Sequence, residues 1–257
     1  MMTKKTIIRI LKIFLICVLW ITVWGVAANA IDKELLLPSP SSVVKRLFEL
    51  AKEKEFYISA LFSLVRVLLG IVFSTVTALI IAYLTSKIKL LHDLLSPILT
   101  VIKATPVASF ILLAFLWIDK EILPAFISFL IIFPIIWSNT EMGILNINKQ
   151  YIELAEVFAL KPLIRLRRIF IPSVMPYFIS AMRTSIGLAF KAAIAAEVIF
   201  PSVRSIGKEL NNAKMYLEIT DLFAWTAVVI ILSFIMEYLF GFMLKKLGNH
   251  YNTKGGL

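Results

Sequence analysis

The side chains of this chain that could do chemistry are charges set against long apolar runs, and the densest group lies between Tyr151 and Pro172. That stretch reads YIELAEVFALKPLIRLRRIFIP and carries Glu153, Glu156, Lys161, Arg165, Arg167 and Arg168. Apolar runs flank it, Ala125–Ile136 before and Ile169–Phe200 after. A polar helix and loop between two membrane-length segments can serve as a handle for a soluble partner, with its arginines drawn to anionic lipid at the inner membrane surface. A second group is Arg183, Gly187 and Lys191, which recur every four residues and so share one helix face. Two cations on one face of a membrane helix are costly to expose to lipid, so they face protein or water. Two readings are open there: a pathway that attracts anions, and structural pairing with a carboxylate such as Glu197. Lys103, within KATPVASF, carries the same pair of readings. Lys103, Arg183, Lys191 and Glu197 are therefore the candidate pathway residues.

Other chemistries are excluded by type and spacing. Cys17 is the single cysteine, which rules out an intramolecular disulfide and a thiolate metal site. His92 and His250 stand far apart, outside any ligand-spaced cluster, so no metal or cofactor is expected. Gly207-Lys208 has Ser202 where a phosphate-binding loop needs its first glycine and Glu209 after the lysine, so the chain shows no nucleotide site of its own by this motif. A G-x-S-x-G elbow is also missing. The chain is expected to be no enzyme.

These residues must be positioned by membrane-spanning helices. Of the 257 residues, 60% are hydrophobic and 17% charged, and the mean hydropathy is +0.91. Soluble domains run at about half apolar and about a quarter charged. A net charge of +11 and a pI near 9.7 would suggest nucleic acid in a soluble protein, but no nucleic-acid motif accompanies them. The basic residues instead collect on loops, as the positive-inside bias requires. The reading is one all-α integral membrane domain over 1–257, with a core at 57–246, an N-terminal span at 7–30 and a charged loop at 146–172.

In order, Lys4, Lys5, Arg9 and Lys12 precede the apolar Ile13–Ala30, with Ala28-Asn29-Ala30 imitating a signal cleavage site; the length of the run favours an uncleaved span. Pro38 and Pro40 then break the chain, Ser41 or Ser42 can cap a helix, and Val43, Val44, Leu47, Leu50 and Ala51 give it an apolar face, predicting an amphipathic surface helix. Spans follow at Tyr57–Ser86, at Leu90–Ile118 (broken by Pro97 and Pro106), at Ile122–Leu145, at Ser173–Phe200 and at Leu222–Leu244. Arg66 in the first of these either has a buried polar partner or snorkels to the outer end. The charged loop should be helical over about Lys149–Leu160, where Pro162 stops it. Pro201–Asp221 reads as a polar outer loop. Six spans put both termini on one side, and the basic residues at the termini and at 87–89, 149–168 and 245–254 make that side cytoplasmic.

The charged loop resembles the signature of the permease subunits of bacterial ABC importers: Glu-Ala-Ala, three residues, Gly, nine residues, Ile, one residue, Leu-Pro. Here Glu153 and Ala155 take the first and third positions, Ala159 falls at the Gly, Ile169 at the Ile, and Ile171-Pro172 at Leu-Pro, without a gap. Leu154, Ala159 and Ile171 depart from the pattern. Ala159 should make the turn after the helix stiffer, since Gly is usual where a positive φ is needed. With FIPSVMPYFISAMRTSIG and AAEVI downstream, the chain is similar to the nitrate/sulfonate/taurine branch from about Pro38 to Phe240. The resemblance implies a type I importer-like fold of about six spans in the bacterial inner membrane. It implies a cytoplasmic ABC ATPase that receives the helix at 151–160, a second permease copy, most simply as a homodimer, and an extracytoplasmic substrate-binding protein. It also assigns Glu153, Ala155, Ala159, Ile169 and Pro172 to ATPase coupling. A secondary transporter driven by an ion gradient is the alternative; Glu197 and Glu237 could be its carboxylates, but no internal repeat is visible. A membrane enzyme would need a catalytic cluster that Cys17, His92 and His250 do not form.

Overall fold

The computed structural model describes the backbone of residues 4–252 and the side chains of residues 11–248 apart from Ile13. Lys254 therefore lies outside the described residues, as do the side chains of Lys4, Lys5, Arg9 and His250. The described chain is helical throughout: α1 (Lys4–Ile31), α2 (Pro40–Leu50), α3 (Lys54–Lys87), α4 (Lys89–Ala104), α5 (Val107–Ala114), α6 (Leu123–Leu145), α7 (Lys149–Val157), α8 (Pro162–Arg165), α9 (Ile171–Ile199), α10 (Ile206–Met215) and α11 (Ile219–Asn252). A π-helical turn at Leu166–Phe170 joins α8 to α9. Among the described residues, five helical stretches are long and apolar enough to cross a membrane, and α4 with α5 makes a sixth if that bent pair counts as one.

The core is the α3, α6, α9 and α11 bundle. On α6, Ile127, Ile132, Ile136 and Trp137 are fully enclosed. On α9 the small residues Ala181, Ser185, Ala189, Ala193 and Ala196 are buried at helical spacing, which lets neighbouring backbones approach. The outward faces stay apolar, with Phe73, Trp117, Phe234 and Tyr238 exposed, as lipid-facing surfaces must be.

Three sequence expectations are corrected. Ser39, not Ser41 or Ser42, caps α2: its hydroxyl accepts from the Ser42 amide at 3.1 Å. Pro40 takes the first helical position, where its missing N–H leaves nothing unpaired, so the helix begins earlier. In the third span Pro97 does not break the helix; the carbonyl it frees, that of Asp93, accepts from the Ser96 hydroxyl at 3.5 Å. The break falls at Thr105-Pro106, where Thr105 is extended and the axis turns by 107°, because a residue before proline is pushed out of the helical region. The third correction is at Pro201–Asp221, which contains α10: Ser205 accepts from the Lys208 amide at 3.0 Å, and Ile206, Leu210 and Ala213 are buried.

The amphipathic α2 packs Val43 and Leu50 inward and leaves Val44 exposed. Arg46 locks it to the start of α11 through two hydrogen bonds to Asp221, of 2.6 and 2.7 Å. The N-terminal helix α1 is tied in near its end, where the Trp24 indole donates to the Pro38 carbonyl at 3.0 Å and stacks on Phe223.

Candidate coupling loop and translocation surface

Asn148 opens α7 by accepting from the Gln150 amide at 2.9 Å. The helix ends at Val157, three residues short of Leu160, for a reason local to the turn. The Leu160 amide donates to the Ala155 carbonyl at 2.9 Å and the Ala159 amide to the Glu156 carbonyl at 3.0 Å. This is a Schellman closure, and it puts Ala159 in the left-handed region, at φ +46°. The position aligned with the family's glycine is thus one where glycine is the unstrained residue.

The surface of α7 is divided. Ala155 is buried against its own chain, whereas Tyr151, Leu154, Val157 and Phe158 are exposed large apolar residues at one- to four-residue spacing. Glu153 is exposed beside them, with no ion-pair partner among the described residues. Glu156 instead reaches Arg165 at 3.7 Å, bridging α7 to α8 across the turn. Pro172 stands in the first turn of α9, and the helical run continues behind it to Pro162, so that one run extends over Pro162–Ile199. Pro172 lacks the N–H that would bond the Arg168 carbonyl, and the wider π-helical turn at 166–170, carrying Ile169, takes up the clash just before it.

Of the candidate pathway residues, Arg183 and Lys191 are exposed on α9, about 12 Å apart along the helix. Lys103, at the last turn of α4, donates to the Ser138 hydroxyl of α6 at 3.3 Å. Between the two α9 cations, Gly187 is closely approached from α11: a Cβ there would overlap the Glu237 carboxylate. Glu237, itself exposed, accepts from the Ser233 hydroxyl at 3.5 Å.

Glu197 is placed elsewhere. It is fully buried and accepts from the Ser63 hydroxyl at 2.6 Å, the Gly207 amide at 3.2 Å and the Arg66 guanidinium at 3.4 Å. The pairing of Arg183 or Lys191 with Glu197 is therefore not what forms. Arg66 is likewise buried rather than snorkelling. It also bonds the Glu121 carboxylate and carbonyl and the carbonyls of Val203 and Arg204. Glu121 in turn accepts from the Val203 amide at 2.6 Å. Gly207 fits because a Cβ would collide with Glu197 and Val198. This knot fastens α3, the α5–α6 turn, α9 and the 200–207 segment at the end of the bundle opposite α7. Arg66 and Glu197 stand out singly in the sequence, but Ser63, Glu121 and the assembly do not, and neither does Glu141, buried in α6 and 2.9 Å from His92 Nδ1. A lone carboxylate in an apolar span was the available signal for both.

The chain is 27% identical over 199 residues to the nitrate import permease protein of Synechococcus elongatus, covering 72% of this chain and 71% of that one. It is 22% identical over 233 residues to the taurine transport system permease protein of Escherichia coli, covering 88% and 84%. A crystal structure of an amino acid ABC transporter with histidines shares the fold, with a TM-score of 0.56 and 17% identity, covering 74% of this chain and 91% of that one. Residues 70–248 match the family described as binding-protein-dependent transport system inner membrane component. The chain belongs to that family, the multi-pass inner-membrane permeases of ABC transporters, in the branch that holds the nitrate and taurine permeases.

Proposed function

We propose that this permease forms the membrane pathway of an ATP-driven importer and couples to a cytoplasmic ATPase through α7. The observation that carries the reading is the divided surface of α7: Ala155 buried on its own chain, with Glu153 and the apolar Tyr151, Leu154, Val157 and Phe158 presented outward. An exposed apolar set rimmed by charge is the form of a protein–protein contact. Glu153 orients α7 on the ATPase, Ala159 sets the reversal behind it, and Ile169 and Pro172 connect the loop to α9. The termini and the 146–172 loop lie in the cytoplasm, two permease copies face one another, and an extracytoplasmic binding protein delivers the solute. Arg183, Lys191 and Lys103 make the pathway attractive to a small anion. Glu197 supports it from within the knot. ATP-driven closure of the ATPase pair would shift the populations of outward- and inward-open states by binding them unequally.

The test is uptake of radiolabelled nitrate or taurine, together with co-purification, in Glu153→Lys. The chain should still insert, but the ATPase should be lost from the purified complex and uptake should fall to background. Normal ATP-driven uptake in that variant removes the coupling assignment, and uptake that follows an ion gradient without ATP replaces the whole reading with secondary transport.

A further inference from the structure

A cavity of about 1050 Å³ opens between the last turns of α3 and α6 and the start of α9, at the end of the bundle that carries α7. Its floor is apolar, including Leu79, Ile144, Val174 and Phe178. Its rim is cationic: Lys87 and Arg165 lie 5.5 and 5.7 Å from the centre of the same Phe170 ring. From Lys87 to Leu79 along α3, and from Phe170 to Phe178 along α9, the slot descends about 12 Å. Two polar atoms of its lining are buried and unbonded, Arg165 Nε and Thr140 Oγ1, and Thr140 is 3% exposed. A buried donor left unpaired is unfavourable, so the lining is suited to an occupant that brings acceptors at the rim and hydrocarbon below.

We infer that this cavity is a binding site for an anionic phospholipid, its phosphate held by Lys87 and Arg165 and an acyl chain lying along Leu79, Val174 and Phe178. A free anion would use the rim and leave the apolar depth empty. A helix of a second copy would fill the depth and leave two cations facing it. The volume is at the upper end of the roughly 300–1,000 Å³ of small-molecule sites, ample for a chain as well as a headgroup. Arg165 also pairs with Glu156 of α7, so the lipid would brace the turn that links α7 to α9. That regulatory consequence, and the assignment to the cytoplasmic leaflet, rest on the proposed coupling role; lipid occupancy itself does not.

The experiment is native mass spectrometry of the full chain, delipidated and titrated with dioleoyl-phosphatidylglycerol or dioleoyl-phosphatidylcholine. Each basic group at an anionic surface contributes about fivefold in affinity, so Lys87→Gln with Arg165→Gln should weaken phosphatidylglycerol binding by about 25-fold and leave phosphatidylcholine binding little changed. Ile144→Trp, which fills the floor, should reduce both lipids; Val174→Trp takes its place if Ile144→Trp fails to insert. Phosphatidylglycerol adducts that survive both kinds of variant overturn the site. So does loss with the charge variant but not with the filled floor, which is surface attraction alone, and so does a filled floor that abolishes a dimer mass with no lipid adduct in the wild type. A chain that binds the lipid as expected yet brings down no ABC ATPase when purified from its native membrane would refute the transport reading and leave the lipid site standing.

Discussion

Replacing Glu197 with Ala strips the carboxylate that joins α9 to α3 and α10. The Ser63 hydroxyl, the Gly207 amide and one arm of Arg66 lose their acceptor at a position that is fully enclosed. Arg66 keeps Glu121 and three backbone carbonyls, so the loss is that of a partly compensated charge rather than a bare one. Breaking a buried ion pair from one side destabilises by about 3–5 kcal/mol, and the two orphaned neutral donors alone amount to about 1–3 kcal/mol each. About 4 kcal/mol is the expected loss. In a chain of this size each kcal/mol moves the melting temperature by about 2–4 °C, so thermal unfolding of the detergent-purified permease should fall by about 10 °C. Glu197→Gln, which keeps an acceptor for Ser63 or Gly207 but sets an amide against Arg66, should fall about half as far. Adding Arg66→Met to Glu197→Ala should cost less than the sum of the two single changes, with a coupling of about 1–3 kcal/mol. A Glu197→Ala variant that melts within about 2 °C of wild type, or single changes that simply add, would show that the knot is not a cooperative unit.

Other expectations follow from the same geometry. Ala159→Gly relieves a left-handed alanine, a penalty of about 1–2 kcal/mol, against about 0.4–1 kcal/mol of added unfolded-state entropy; the turn should gain about 0.5–1 kcal/mol, read as slower amide exchange at Leu160. On the proposed pathway, Arg183→Ala with Lys191→Ala should cut uptake of an anionic solute by about tenfold or more while leaving the purified complex intact, and failure of assembly with normal residual transport would make those charges structural. In α10, burial, reinforced by Glu55 and Glu53, raises the Glu209 pKa above the ordinary carboxylate range. A raised folded-state value means stability is greatest in acid and is lost as pH rises through the normal Glu range to that higher value. Glu209→Gln should therefore melt higher than wild type at neutral pH and lose that part of the pH slope, as pH-dependent thermal scans would show.

How far the chain could be read in advance depends on how local each feature is. The spans were legible because eighteen or more apolar residues in a row have few alternatives, and the signature was legible because its spacing is fixed along one loop. Ala159 was flagged from its alignment alone, and its left-handed φ is the physical reason glycine belongs there. The end of α7 at Val157 was missed because the closure uses carbonyls within the helix, ahead of the proline expected to stop it. The partner of Glu197 was not legible at all. It sits six residues past Lys191, turned about 120° around the helix, and its actual partner Arg66 lies 131 positions away; nothing short of packing selects between them. α10 hid in a segment polar enough to pass for coil, although Ser205 and the Ile206, Leu210, Ala213 spacing already spelled a capped helix.

The knot and the π-helical turn lie at opposite ends of α9, and that gives the helix a mechanical character. With 29 residues, α9 is about 43 Å long. Its far end is riveted to α3 and α10 through Glu197, while its near end continues into a widened turn. If α7 takes the proposed coupling role, a push delivered there would be converted from translation into tilt about a fulcrum near Glu197. A pivot of about 5° on a lever of that length sweeps the near end through roughly 4 Å and leaves the fulcrum almost still. Arg183 lies nearer that end than Lys191, so it would travel further in such a tilt.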